Sequence, residues 1–170
     1  MHTFQKVALL LSSAFCFTAC DTMHMPPPHG GRTSILINLH EQRAYLCQGS
    51  SVVSEASIST GREGHVTPAG SFHVIRKDID HRSSLYGDYV DAGGSVVKAN
   101  VDSRKDSRPP GSRYLGASMP YFVEFSPGFG LHEGHRPGYP ASHGCVRLSH
   151  WKARKFYAAS KIGTPVTVRP

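Results

Sequence analysis

The chain lacks a hydrophobic run long enough to span a membrane as a helix. Its longest, Val7 to Phe17, falls short of the roughly 20 apolar residues a span requires. It has one tryptophan and four cysteines, with no Cys-x2-Cys pair and no His-Glu-x2-His, so the commonest zinc patterns are missing. No block of five like charges and no nucleic-acid signature occurs, which argues against a nucleic-acid partner. The charge balance is nonetheless basic, with 19 Lys and Arg against 12 Asp and Glu. Such a surface suits an anionic polymer or a headgroup layer, or is simply a solvated face. A length of 170 residues favours one domain.

What is present begins with "MHTFQKVALLLSSAFCFTAC". Lys6, the short apolar run and the small residues before Cys20 have the order and lengths of a secretory signal. The close "FTAC" resembles a bacterial lipobox, with Phe17 where an aliphatic residue is usual. The resemblance implies lipidation of Cys20, which anchors a protein without spanning the membrane; the other reading is cleavage near the same place with release of a soluble protein. Cys16 then leaves with the signal and Cys20 carries lipid, so the folded part keeps Cys47 and Cys145. Cys47, in "RAYLCQG", reads as a small hydrophobe buried in a strand; Cys145 reads as a free thiol. Residues 21–33, "DTMHMPPPHGGRT", have no apolar period and read as a tether.

From Ser34 to the end at 170 the pattern is that of one β-rich domain. Short β-rich runs lie at Ser34–Leu39, Arg43–Cys47, Val52–Thr60, Gly70–Lys77, Tyr121–Phe125 and Gly128–His132, and "TPVTVR" closes as a strand. Residues 78–116 are poor in core side chains and predict long loops over one face. One helix is predicted from a Ser149 cap to Ile162, ended by Gly163, with Trp151, Phe156, Tyr157 and Ala159 on its buried side.

The chemistry concentrates in "LHEGHRPGYPASHGCVRLS", Leu131 to Ser149. Three readings fit it. His132, His135, His143 and Cys145 are a possible zinc set, although no supporting ligand pair accompanies them. Pro137, Pro140, Gly134, Gly138 and Gly144 also explain a plain polar loop. In the third reading, His132 ends one strand and Cys145 begins the next, so the loop returns a thiol beside an imidazole. A thiol becomes a strong nucleophile once a neighbouring imidazole accepts its proton. Gly144 clears space for a carbonyl, and backbone N–H groups there suit an oxyanion. His135 and His150 read as satisfied loop and helix-end residues, and Thr67, Pro68 and Gly70 as turn formers.

"SHGCVRL" at Ser142–Leu148, preceded by the "LHEG" His132, resembles the signature of the L,D-transpeptidase catalytic domain, the YkuD family. "SISTGREGHVTPAGSFHVIRK" resembles that family's Ser-Thr-Gly and Thr-Pro-x-Gly-x-Phe segments, and "GTPVTV" its closing strand. The likeness covers about Ser34 to Val168. One departure is a separation of 13 from His132 to Cys145, read off the chain, shorter than in much of the family. The resemblance implies a mainly β fold, a YkuD-like β-sandwich with one helix near the C-terminus, and an enzyme using no cofactor and no metal. It implies that Cys145 attacks a peptidoglycan tetrapeptide stem, releases D-Ala and passes the acyl group to an amine. His132 would move the proton, the Glu133 backbone carbonyl would orient His132, and the Cys145 N–H with the Gly144 N–H would hold the oxyanion. Arg147, His143, Ser142 and Tyr121 would contact substrate. Partners are then peptidoglycan stems and, through Cys20, a membrane, on the periplasmic side of the envelope. Two neighbouring readings are an L,D-carboxypeptidase, with water as acceptor, and a non-catalytic wall-binding lipoprotein.

Overall fold

A computed structural model describes residues 31–170. The signal (1–20), Cys20 and nearly all of the tether lie outside the described residues. Thr33, assigned to the tether by sequence, already begins the first strand.

Two five-stranded sheets face each other. The first contains β1 (Thr33–Asn38), β2 (Arg43–Gln48), β3 (Ser51–Ser57), β4 (Gly70–His73) and β10 (Pro165–Arg169). Their order is β3-β2-β1-β10-β4, with β1 and β10 parallel. The second contains β5 (Arg76–Val90), β6 (Val96–Asp102), β7 (Arg113–Ser126), β8 (Phe129–Glu133) and β9 (Val146–Leu148). Its order is β6-β5-β7-β8-β9, with β8 and β9 parallel. The helix α1 (His150–Ala159) packs on β7, β8 and β9. The fold is therefore the mainly β, two-sheet architecture with one C-terminal helix that the sequence implied.

The core follows from alternation. Ile35 and Ile37 of β1, Ala44 and Leu46 of β2, and Val166 and Val168 of β10 point inward. Val123, Phe125, Leu131, Val146 and Leu148 meet them from the second sheet, and Ala153 and Phe156 from α1. Period-two burial of β-branched and aromatic residues suits two facing sheets. Cys47 is half-buried, on the outward phase of β2 next to a register shift at Leu46/Cys47. The strand's alternation overrides its apolar character.

Three expectations need correction. Residues 78–116 form much of the second sheet rather than long loops. In β5 only Gly87, Tyr89 and Val90 are buried, because one face looks into a cleft and the other into solvent. The strand is held by its backbone ladder to β6 and β7, so it leaves no hydrophobic period to read. "GSFHVIRK" is not one strand either. At Val74 the chain leaves the first sheet: Val74 exchanges hydrogen bonds with Thr164 O and Gly163 N–H at 2.9 and 2.8 Å, and Ile75 N–H donates to Glu124 O at 2.8 Å. Lastly, α1 stops at Ala159, where Ser160 turns extended and donates from Oγ to Phe156 O at 2.8 Å. Ser149 occupies the N-cap without a side-chain cap bond. Trp151 is 71% exposed rather than buried, because the side of the helix facing the sheets is that of Ala153 and Phe156.

Phe156→Ala should therefore cost about 3–5 kcal/mol, whereas Trp151→Ala should stay within about 0.5 kcal/mol. Urea denaturation of the two variants checks this. A larger loss at Trp151 would contradict the helix orientation.

Candidate active site

Parallel strands cannot be joined by a tight turn; they need a crossover of about a dozen residues. The β8–β9 crossover is the loop Gly134–Cys145, and in its register His132 lies opposite Arg147. His132 at the end of β8 and Cys145 just before β9 line one cleft of about 490 Å³ with Arg147, Phe122 and Tyr86.

The crossover is held by the segment between β3 and β4. Ser59 pairs with Arg147, and Gly61 with Ser142. Thr60 O accepts from Ala141 N–H and Ser142 N–H at 2.9 and 3.0 Å. Thr67 is buried, takes the Gly61 N–H at 3.0 Å and donates to Gly144 O at 2.7 Å. Thr67 is thus a strut of the loop rather than a turn former. Gly144 has φ +119° and would place a Cβ 2.6 Å from the Phe129 ring, so only glycine fits.

His132 is buried, and its Nδ1 lies 2.6 Å from Glu133 O. A carbonyl only accepts, so Nδ1 carries the proton and Nε2 the lone pair. Burial pushes the His132 pKa down to about 4; the carbonyl bond opposes this, and the positive field of Arg147 adds to it. Burial likewise raises the Cys145 thiol, partly offset by a Gly130 backbone hydrogen bond and by Arg147, while Glu124 reinforces the rise. At neutral pH the pair is a neutral thiol and a neutral imidazole. The thiol donates to Gly128 O at 3.6 Å.

Not every proposed site residue keeps its sequence-based place. Gly144 N–H donates to Ser142 Oγ at 2.9 Å, so it is occupied and unavailable as an oxyanion donor. The Cys145 N–H has no acceptor among the described residues. Ser142 is buried and donates to Cys145 O at 2.6 Å, which commits its hydroxyl to the loop instead of to a ligand. Tyr121 does not line the cleft: it adopts φ 58° and packs toward Tyr157 and His150, with ring centroids 5.9 and 5.5 Å away. Its neighbour Phe122, on the other phase of β7, faces the cleft instead. His135 lines the cleft, whereas His150 begins α1 and bonds Glu133 Oε2 at 2.9 Å. Among the described residues no three His, Cys, Asp or Glu side chains are grouped to hold a metal ion.

Other residues were silent in the sequence. Buried Glu124 pairs with Arg76 Nε at 2.7 Å and accepts the Gly128 N–H at 2.8 Å, fixing the turn whose carbonyl accepts the thiol's hydrogen bond. His81 stacks on Phe122 at 4.3 Å. Tyr86 reaches the cleft because β5 carries an irregularity between Arg82 and Gly87, the kind of bulge that re-aims side chains.

A family model described as the L,D-transpeptidase catalytic domain, YkuD, matches residues 32–168. The chain belongs to this family. An L,D-transpeptidase from Mycobacterium smegmatis shares the fold with a TM-score of 0.62 and 19% identity, covering 83% of this chain and 60% of that one. The L,D-transpeptidase (Yku) of Stackebrandtia nassauensis gives 0.59 and 20%, covering 82% and 57%. That of Xylanimonas cellulosilytica gives 0.59 and 25%, covering 82% and 61%. This L,D-transpeptidase-family chain thus spans less than two thirds of each of those structures. No curated protein matches it.

The depressed His132 makes a stability prediction. Its folded pKa of about 4 lies below the ordinary 6.5, so the unfolded chain binds the extra proton between those values. Stability is full above 6.5 and falls as pH drops toward 4, by about 3 kcal/mol for a shift of this size. Urea unfolding of this domain at neutral pH and at acid pH should show a smaller acid loss in His132→Gln. Equal losses in the two proteins would rule out a buried neutral imidazole.

Proposed function

We propose that this protein is a cysteine-dependent L,D-transpeptidase acting on peptidoglycan tetrapeptide stems. The observation that carries the reading is His132, whose Nδ1–H is spent on Glu133 O at 2.6 Å. Nε2 is left as the ring's one proton-accepting nitrogen, in the cleft that Cys145 also lines.

The thiol first turns from Gly128 O toward His132. Sγ then attacks the carbonyl that joins the L-centre of diaminopimelate to the terminal D-Ala, as its proton passes to Nε2. Starting from two neutral groups, transfer and attack are coupled, and no buried ion pair has to be maintained beforehand. The Cys145 N–H donates to the developing oxyanion. The C–N bond breaks, His132 returns the proton to the leaving amine, and a thioester remains. An amine from a second stem, deprotonated by His132, attacks that thioester; the S–C bond breaks and the thiolate regains the proton. Both halves use only thiol and imidazole, so no cofactor enters.

Arg147 forms no ion pair among the described residues and is half-buried beside the cleft. Its planar fork suits a substrate carboxylate. His143 lies on the cleft rim as a further polar contact. The N-terminal sequence supports export and lipid attachment at Cys20, with the domain on the periplasmic side of the envelope.

Incubation with a diaminopimelate-containing disaccharide tetrapeptide, followed by mass spectrometry, tests the reading. Cross-linked dimers with loss of D-Ala are expected, and Cys145→Ala should reduce turnover by at least about a thousandfold. Loss of D-Ala without dimers, even with an added amine acceptor, would instead identify a carboxypeptidase. Turnover that survives Cys145→Ala would exclude the thioester.

A second prediction concerns the resting thiol. Because the Cys145 pKa lies above the ordinary thiol value, iodoacetamide alkylation should climb steadily with pH, with no plateau in the mildly acidic range. A plateau there would mean a preformed thiolate–imidazolium pair.

A further inference from the structure

His143 stands directly before the Gly144–Cys145 pair, yet the proton transfers above leave it without a task. Its ring lies face to face with Tyr86 at 4.0 Å and 16°, and edge-on to His65 at 4.9 Å and 79°. Arg62 Nη2 sits 2.8 Å from His143 Nε2. Arg62 is itself anchored on this loop, since its backbone N–H donates to Ser142 O at 3.1 Å.

A guanidinium has five N–H donors and no acceptor. At 2.8 Å the contact is a hydrogen bond only if Nε2 holds the lone pair. The single ring proton then sits on Nδ1. Protonation of the whole ring would set donor against donor.

We propose that Arg62 is a positioning residue that fixes His143 in its Nδ1–H tautomer, so that the cleft rim presents a permanent N–H donor to a carbonyl or carboxylate oxygen of the stem peptide. The tautomer stands on geometry alone, while the ligand it meets rests on the transpeptidase reading above. The charged groups around the ring agree with a neutral imidazole. Partial burial pushes the His143 pKa down to about 4, reinforced by Arg62, His65 and Arg147, with Asp102 opposing. Asp102 is itself engaged by Arg104 at 2.7 and 2.9 Å, and Arg104 also donates to the Tyr86 hydroxyl at 3.1 Å. Tyr86, the stacking partner, is thereby fixed from behind.

This assigns the "STGR" stretch a second task. Its Thr60 and Gly61 hold the loop backbone, and its arginine sets the chemistry of one side chain on that loop.

Long-range proton–nitrogen NMR of the 15N-labelled full chain reads the tautomer directly, with His143→Gln assigning the signals. The wild type should show a proton on Nδ1 and no titration of this ring through mildly acidic and neutral pH. Arg62→Met, which keeps the stem and removes the donors, should bring in the Nε2–H tautomer and an ordinary histidine titration. Arg62→Lys should restore the Nδ1–H form. With the tetrapeptide, Arg62→Met should raise KM by about two- to tenfold at nearly constant kcat, the size expected for one hydrogen bond. An Nε2–H tautomer in the wild type, or an unchanged spectrum in Arg62→Met, would overturn the proposal. A fall in kcat at constant KM would overturn its substrate half. If the spectra shift as expected but the wild type turns over no stem peptide, the tautomer stands and the activity reading falls.

Discussion

Pairing β9 parallel to β8 is the constraint on which the site depends. Two adjacent antiparallel strands would have met through a hairpin, and a hairpin of a few residues has no room for a crossover. The parallel arrangement compels residues 134–145 to leave the sheet and return to it beside His132. Such a loop has little apolar surface with which to hold itself. Its order comes from outside: Ser59 Oγ donates to Tyr139 O, Thr60 O accepts from Ala141 and Ser142, Arg62 N–H donates to Ser142 O, and Thr67 donates to Gly144 O. Buried polar groups are costly unless paired, and here the pairing itself defines the loop's path. Gly144 contributes by absence, because its bare Cα lets the Phe129 ring close against the loop.

Within that frame, desolvation sets the protonation states. Burial depresses His132 and raises Cys145, so each group rests uncharged, and both shifts have the same leading cause. The two flanking charges act in opposite directions on the thiol: Arg147 favours the thiolate and Glu124 the thiol. Glu124 is also tied to Arg76 and to the turn at Gly128, so the charge that adds a small push to what burial does to the thiol belongs to the group that holds its hydrogen-bond acceptor. Electrostatics and geometry are thereby coupled through one carboxylate.

The parts of this molecule legible in the sequence are those written in local pattern. Ile35 and Ile37, Ala44 and Leu46, and Val166 and Val168 announce their strands by alternation, and Phe156 announces the buried side of α1. The juxtaposition of His132 with Cys145 could be read because both lie within one short motif at strand ends. The second sheet was hidden for a physical reason. A strand such as β5, exposed on one face and lining a cleft on the other, buries too little to show a period. The site residues it supplies, Tyr86 and His81, were hidden with it. Spacing could not show that Tyr121 faces away while Phe122 faces in, since that depends on the phase of β7 and the positive φ at Tyr121. Nor could it show that the Gly144 N–H is already taken, because Ser142 competes for it over a distance of only two residues.

Neutral imidazoles occupy two positions around the thiol, and they are kept neutral by different means. His132 is neutral because it is buried, and a carbonyl takes one of its nitrogens, which leaves the lone pair on Nε2. His143 is half out in solvent, where burial alone would do less, and a guanidinium on Nε2 supplies the difference. The partners are of opposite kind, an acceptor in one case and a donor in the other, and in both the free hydrogen-bonding character follows from what the protein attaches to the opposite nitrogen. For both rings Nδ1 carries the proton, yet the nitrogen left without a protein partner is an acceptor at His132 and a donor at His143. The proposed transpeptidation, which removes a proton from a thiol and binds an oxygen-rich peptide, would use one of each. This chain obtains them from the same residue type by choosing the neighbour.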